Sequence, residues 1–464
     1  NACLKKENRI QMNALDLNFI CQILNLPLPS ANQTVKRIVT DSRDIQPGDV
    51  FFALAGERFD AHDFVADVLA KGATAAVVSR EDCAALNGAL TVSDTLAALQ
   101  TLAKAWRNHI QPFVFGITGS SGKTTVKEML AAVLRRRFGE EAVLATAGNF
   151  NNHIGLPLTL LKLTPAHRYA VIEMGMNHFG ELALLTRIAQ PDVALVNNAL
   201  RAHVGCGFDG VGDIAKAKSE IYQGLSENGL ALLPQQDANL AVFQVATAGM
   251  KRQSFGAEHG DIHAENIVLK PLSCEFDLVN GNQRAAVTLP VPGKHNVSNA
   301  VAAAALAQAA GLSLQEIADG LAGFANIKGR LQIKHGIKGA TLLDDTYNAN
   351  PDSMKAALDV LAQLPAPRVF VMGDIGELGE DESPAMHAEV GEYARNKGIE
   401  AAYFVGDFSA SAAEAFGGQG LWFADKDPLI QVLVHDLPEN ANVLVKGSRF
   451  MKMEEVVEAL QGQG

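Results

Sequence analysis

The sequence predicts a three-domain α/β protein. Its parts are a small α/β N-terminal domain, a central P-loop-type parallel-sheet domain and a C-terminal doubly wound, Rossmann-like domain. Three observations predict it. Strand-length apolar runs alternate with amphipathic helical segments, as in a parallel sheet covered on both faces. A glycine-rich stretch, "GITGSSGKTT" (116–125), stands between one such run and one such helix. Beyond "GFANIKGRLQ" the alternation starts again. The boundaries are drawn at 12–92, 93–327 and 328–464. Residues 1–11 read as a tag or extension, with Met12 as the natural start.

Taken in order, "KRIVTDSRDIQPGDVFFAL" reads as short strands joined through a Pro47-Gly48 turn. "FVADVLAKGATAAVV" reads as helix, glycine stop and strand. "DTLAALQTLAKAWRNHI" is a helical linker into the glycine-rich stretch. "FVFGI" is the strand before that loop. In the helix after it, Val126, Met129, Leu130, Val133 and Leu134 recur at helical spacing. "YAVIEMG" and "DVALVNN" are buried-type strands, and "CEFDLV" with "RAAVTLPV" forms a hairpin. "NVSNAVAAAALAQAAG" is a helix stopped by Gly311, and Ser313 with Glu316 makes a capping box for the next. In the last domain "GATLLDD", "PRVFVMGD", "AAYFVGD" and "NVLVKGS" read as strands. "DSMKAALDVLAQL", "MHAEVGEYARNKG" and "MEEVVEALQ" read as helices.

Composition bounds the function. The chain has 464 residues, 48% hydrophobic and 19% charged, enough for several cores. A formal net charge of −12 opposes nonspecific binding to nucleic acid or to an anionic membrane. The cysteines (Cys3, Cys21, Cys83, Cys206 and Cys274) form no C-x-x-C pair, which fits a reducing cytoplasm. No apolar run is long enough to span a bilayer. A monomer is expected.

The glycine-rich stretch departs from the usual phosphate-loop spacing, because Ile117 stands where the first glycine is expected. Its context restores the reading. A strand followed by a helix aims backbone N–H groups and the positive helix end at an anion. Gly119, Ser120, Ser121 and Gly122 form the cradle, Lys123 reaches terminal phosphates, and Thr124 offers a hydroxyl to magnesium, with Thr125 beside it. Glu173 ends a strand, where ligands of open parallel sheets lie. It reads as the acidic metal partner or as a helix N-terminal carboxylate. His203, after the next strand, reads as a ligand or as a loop histidine.

Several segments together resemble the Mur ligases: "GSSGKTT", "GNFNNHIGLPLTLL", "EMGMNHFGEL", "AKAKSEI", "GKHNVSNAVAAAALA", "GRLQ", "DDTYNANPDSMKAAL", "GDIGELGE" and "VLVKGSRFMKMEEV". The resemblance covers nearly the whole chain after Met12. It implies ATP-dependent ligation of a carboxylic acid to an amine through an acyl phosphate. "DDTYNANPDSM" and "GDIGELGE" point, within the family, to the member whose substrates are UDP-MurNAc-tripeptide and D-Ala-D-Ala. The alternatives are the diaminopimelate- or lysine-adding ligases and folylpolyglutamate synthase. The diaminopimelate-adding relative usually carries "DNPR" where this chain has "GDIGELGE".

The resemblance assigns residues. The family's phosphate loop places its first required glycine at Gly119. Thr124, Glu173, His203 and Lys218 lie around magnesium, with Lys218 carried as a carbamate, and Lys123, Lys218 and His203 are the catalytic set. Asn299, Arg330, Asp345 and Tyr347 contact ATP. Ser42, Arg43, Asn151, Asn152, Lys446 and Ser448 face the substrates, with Arg449 loosely assigned to the same cleft. Read without the resemblance, Lys218 is a lysine on a solvated helix face, Asn299 a helix cap and Arg330 a linker charge. Two departures stand out. Ala61 replaces the glycine of the family's "DGH", and the stretch around His203, "RAHVGCGFDGVGD", is unusually rich in glycine.

Overall fold

The computed structural model describes residues 14–56, 59–418 and 420–461. The 1–11 extension and Met12 lie outside the described residues. Three sheets organise the chain. The first is four-stranded and parallel, in the order β1 (Ile38–Val39), β2 (Val50–Phe52), β3 (Ala75–Val78) and β4 (Ala89–Thr91). Pro47 and Gly48 make the turn before β2.

The central sheet has nine strands: β5 (Phe113–Thr118), β6 (Val143–Ala145), β7 (Tyr169–Glu173), β8 (Val193–Val196), β9 (Leu230–Pro234), β10 (Lys251–Gly256), β11 (Ile262–Leu269), β12 (Cys274–Asn280) and β13 (Gln283–Leu289). Their spatial order is β13-β12-β11-β10-β9-β8-β5-β7-β6. The β11-β12-β13 end is antiparallel and the rest parallel. Alternation along β5 explains its two-sided burial. Phe115 and Ile117 face the helices Lys123–Phe138 and Lys294–Ala309, whereas Val114 joins Leu102 and Trp106 on the opposite face.

The helix Thr95–Ile110 reads as a linker in the sequence but is shared core. Its Leu99, Leu102, Ala103 and Trp106 pack with Val50 and Phe52 of the first sheet and with Leu156 and Ile172 of the central domain. Trp106 also donates its indole N–H to Leu163 O at 2.9 Å.

The third sheet comprises β14 (Gln332–His335), β15 (Thr341–Asp345), β16 (Arg368–Gly373), β17 (Ala401–Val405), β18 (Gly420–Phe423) and β19 (Asn442–Lys446), in the order β14-β15-β19-β16-β17-β18. Only β14 runs antiparallel, at the edge. Helices on both faces make this sheet doubly wound. Among the described residues no helix is long and apolar enough to cross a membrane.

The departure at Ala61 is absorbed locally. Asp60 Oδ1 caps the short turn by accepting from His62 N at 2.9 Å and pairing with His62 Nδ1, and the Ala61 methyl is buried.

Candidate active site

The central sheet reverses its strand order around β5, where β7 and β8 flank it on either side. Crevices open at the carboxyl ends of strands at such points. The glycine-rich loop leaves β5 there, and a helix begins at Lys123 with Gly122 as its N-terminal cap. Two asparagines after β8 hold the loop. Ser121 N donates to Asn198 Oδ1 at 2.9 Å, and Asn197 Nδ2 donates to Ser121 O at 2.9 Å. Gly122 has φ +79, and a methyl there would meet Asn299 Oδ1 at 2.3 Å and Asn197 Nδ2 at 2.5 Å. Glycine is therefore required for conformation and for space. Asn299 accepts from Asn197 Nδ2 at 3.0 Å, so it braces the loop rather than capping a helix.

Lys123 Nζ donates to Gly119 O at 2.7 Å across the loop. Burial pushes its pKa down and Arg330 adds to this, while Glu173 and Glu377 oppose it. Glu173 is buried at the end of β7. It accepts from Thr124 Oγ1 at 3.0 Å and from Asn151 Nδ2 at 2.8 Å. A carboxylate beside a hydroxyl suits a hard cation. Among the described residues no group of three or more His, Cys, Asp or Glu side chains forms a ready-made metal site.

Lys218 lies on the helix Val211–Ser219 and is 1% exposed, so the solvated-face alternative does not hold. Burial, with Lys123 nearby, pushes its pKa well below the ordinary lysine value, favouring a neutral amine. His203 adopts φ +68, and burial first, then Lys218 and Lys123, push its pKa down to about 3.

The C-terminal domain closes the cleft. Arg330 lies 4.3 Å from the Tyr347 ring centroid, and its Nη2 is 3.4 Å from Thr124 Oγ1. Its Nε is buried without a protein partner, which leaves donor capacity for an anion. Lys446 Nζ pairs with Asp345 Oδ2 at 2.6 Å and donates to Asn348 O at 2.9 Å. Asn350 Nδ2 reaches Ser121 Oγ at 2.8 Å. Arg201 of the central domain forks onto Asp352 and reaches Glu389. The cleft between the domains has a volume of about 1350 Å³.

Residues 120–125, Asn151, Asn152, Glu173, His203, Asn299, Arg330, Asp345, Tyr347, Lys446 and Arg449 all line this cleft. Asn152 also accepts from Gly155 N at 2.8 Å, fixing the start of the next helix. Gly119, Lys218 and Ser448 do not line it. Ser448 instead braces the wall, its Oγ accepting from Gly376 N at 2.7 Å. Ser42 and Arg43 lie apart on the first domain, where the exposed Arg43 folds back on Asp41 at 2.6 Å. Sequence reasoning missed Asn197, Asn198, Arg201, Asn350 and Glu377. The rule that selected Glu173, position beyond a strand's carboxyl end, also selects Asn197 and Asn198.

Three family models match the chain: "Mur ligase middle domain" over residues 117–307, "Mur ligase, glutamate ligase domain" over 329–449, and "Mur ligase family, catalytic domain" over 34–107. A UDP-N-acetylmuramoyl-tripeptide–D-alanyl-D-alanine ligase of Escherichia coli is 44% identical over 98% of this chain and 100% of its own length. A crystal structure of MurF from Acinetobacter baumannii superposes with a TM-score of 0.88 at 40% identity, covering 96% of this chain and 98% of that one. A MurF ligase from Thermotoga maritima in complex with ADP gives a TM-score of 0.82 at 28% identity, covering 92% and 97%.

Proposed function

The chain belongs to the Mur ligase family, and from that premise we propose that it joins D-alanyl-D-alanine to UDP-N-acetylmuramoyl-tripeptide at the expense of ATP. The product is the UDP-MurNAc-pentapeptide precursor of peptidoglycan. The observation that carries this reading is the meeting of two domains in one cleft, with the phosphate loop on one wall and Arg330, Tyr347 and Glu377 on the other.

The residues supply what each step demands. A carboxylate is a poor acyl donor until phosphate is installed on it. Bringing that anion to the terminal phosphate of ATP requires positive charge between them, which Lys123 and Arg330 provide. The backbone of residues 119–122 and the helix start at Lys123 hold the phosphates. The Tyr347 ring and the guanidinium on its face form a stacking surface for the nucleotide. Thr124 and Glu173 fit magnesium, with His203 and Lys218 nearby. Bound there, magnesium neutralises charge on the transferring phosphoryl group.

Only a neutral amine can take up carbon dioxide. The burial that pushes the Lys218 pKa down favours that form and therefore supports conversion to a carbamate, which would turn the side chain into an oxygen donor. Docking of the domains excludes water, so the acyl phosphate waits for the amine instead of hydrolysing. Ser42 and Arg43 are assigned to the UDP-sugar end, Arg43 as a diphosphate partner. Cys21, Cys83, Cys206 and Cys274 are free thiols, which supports a reducing cytoplasm.

Phosphate release with each substrate omitted in turn tests the reading. Release should require ATP, magnesium, the UDP-tripeptide and D-Ala-D-Ala together. Release independent of D-Ala-D-Ala, with no pentapeptide detected by mass, would overturn it.

A further inference from the structure

Among the described residues, seven acidic side chains line the cleft: Glu173, Glu181, Asp237, Asp345, Asp352, Glu377 and Glu454. Six are already committed. Glu173 holds Thr124 and Asn151, Glu181 accepts from Asn177 N, and Asp237 accepts from Ala199 N. Asp345 pairs with Lys446, Asp352 with Arg201 and Glu454 with Arg449. Glu377 differs. Its carboxylate is 54% exposed, and its contact is the His203 ring at 3.5 Å, longer than a hydrogen bond.

The backbone aims this side chain. Glu377 has φ +60, a conformation that persists in a non-glycine residue only where the surroundings over-determine it. Its neighbours supply that restraint. Ile375 N donates to His387 Nε2 at 2.9 Å, Gly376 N to Ser448 Oγ at 2.7 Å, and Gly379 N to Val204 O at 2.9 Å. Ile375 and Leu378 are buried in the C-terminal core. A loop pinned on both sides thus presents one uncommitted carboxylate to the phosphate loop, close enough to act electrostatically on Lys123 and Lys218.

A side-chain ammonium on the tripeptide's third residue takes no part in the bond formed, so among the groups that must reach the phosphate loop only the incoming dipeptide brings a positive one, its terminal ammonium. We propose that Glu377 receives that ammonium, docking the amine beside the phosphate loop. The inference rests on the ligase reading and adds a specificity residue to it. An uncommitted carboxylate attracts an ammonium and repels the phosphates and carboxylates of the other substrates, so it selects what enters this corner.

The test compares Glu377→Gln and Glu377→Asp with the parent enzyme. The first assay is steady-state ligation. The second supplies ATP and UDP-tripeptide and replaces the dipeptide with hydroxylamine, an uncharged nucleophile at neutral pH that captures the acyl phosphate as a hydroxamate. For Glu377→Gln the KM for D-Ala-D-Ala should rise about 10- to 100-fold, the loss expected for a charged hydrogen-bonded pair. Its KM values for ATP and UDP-tripeptide, and its hydroxamate yield, should stay at parental levels. Glu377→Asp should recover part of the dipeptide KM. An unchanged dipeptide KM overturns the proposal. So does parallel loss of ligation and hydroxamate in both variants, which would place Glu377 in phosphoryl transfer or metal binding. Absence of hydroxamate with the parent enzyme would instead refute the ligase reading, and this inference with it.

Discussion

Arg201 is the hinge pin of the docked arrangement, and replacing it gives the most structure-dependent prediction. It lies between β8 and the helix Val211–Ser219, yet its partners belong to the C-terminal domain. Its Nη2 lies 2.6 Å and its Nε 3.2 Å from Asp352 Oδ1, and its Nη1 lies 2.7 Å from Glu389 Oε2. The side chains are 27%, 25% and 38% exposed, so solvent screens them in part. An exposed pair contributes about 0.2–1 kcal/mol. A forked pair plus a second partner therefore stabilises docking by about 1–2 kcal/mol, a factor of roughly 5–30 in the docked-to-undocked ratio. Arg201→Ala should lower kcat/KM by about that factor while each domain stays folded. Steady-state kinetics gives the first quantity, and small-angle X-ray scattering should show a larger radius of gyration. Asp352→Ala added to Arg201→Ala should cause much less than an additive loss. Parental kinetics and scattering in Arg201→Ala would refute the claim that this cluster holds the domains together.

Other predictions follow from the site and its supports. Lys123→Ala should reduce turnover by about 100-fold or more while circular dichroism stays unchanged, because it removes charge from the phosphoryl-transfer site alone. Gly122→Ala forces a side chain into a φ of +79 and into Asn299. The left-handed conformation costs about 1–2 kcal/mol and a disrupted buried hydrogen bond about 1–3 kcal/mol, so ATP should no longer raise the melting temperature. His387 is fully buried, accepting from Ile375 N while its other ring nitrogen meets Ser383 O at 2.7 Å. Burial lowers its pKa from an ordinary 6.5, so the native state keeps it neutral where the unfolded chain gains a proton. Stability is therefore unaffected by this group above pH 6.5 and falls as pH drops below it, by at most about 1.4 kcal/mol per pH unit. Urea melts of the parent and His387→Gln between neutral and mildly acidic pH should show a shallower acid loss in the variant.

The layered architecture was legible because its signals are local. The apolar run of β5, the glycines of its loop and the spacing of Val126, Met129, Leu130 and Val133 all lie within one short stretch. Ser313 and Glu316 were readable for the same reason and form the capping box seen in the structure. What escaped depends on contacts far apart in the chain. Nothing near Lys218 in sequence reveals that the sheet and helices around it exclude water. Glu377 is an acid in a glycine-containing loop until Ser448, His387 and Val204 fix its direction. Asn350 was passed over: in the structure it caps a helix, accepting from Ser353 N at 2.8 Å, and its amide also reaches Ser121 in the other domain. The edge strand β14 escaped because "LQIKH" lacks the apolar continuity of the buried strands. β15 pairs with it only after the chain turns back.

The central claim is that ligation passes through a phosphorylated carboxylate held between the two domains. The most direct measurement follows an oxygen atom. UDP-tripeptide labelled with heavy oxygen in the carboxylate to be joined is turned over with ATP and D-Ala-D-Ala, and the released phosphate is analysed by mass spectrometry. Transfer of one labelled oxygen into each phosphate formed, with the other retained in the new amide, is the predicted result. Unlabelled phosphate accompanying full pentapeptide formation would contradict the account.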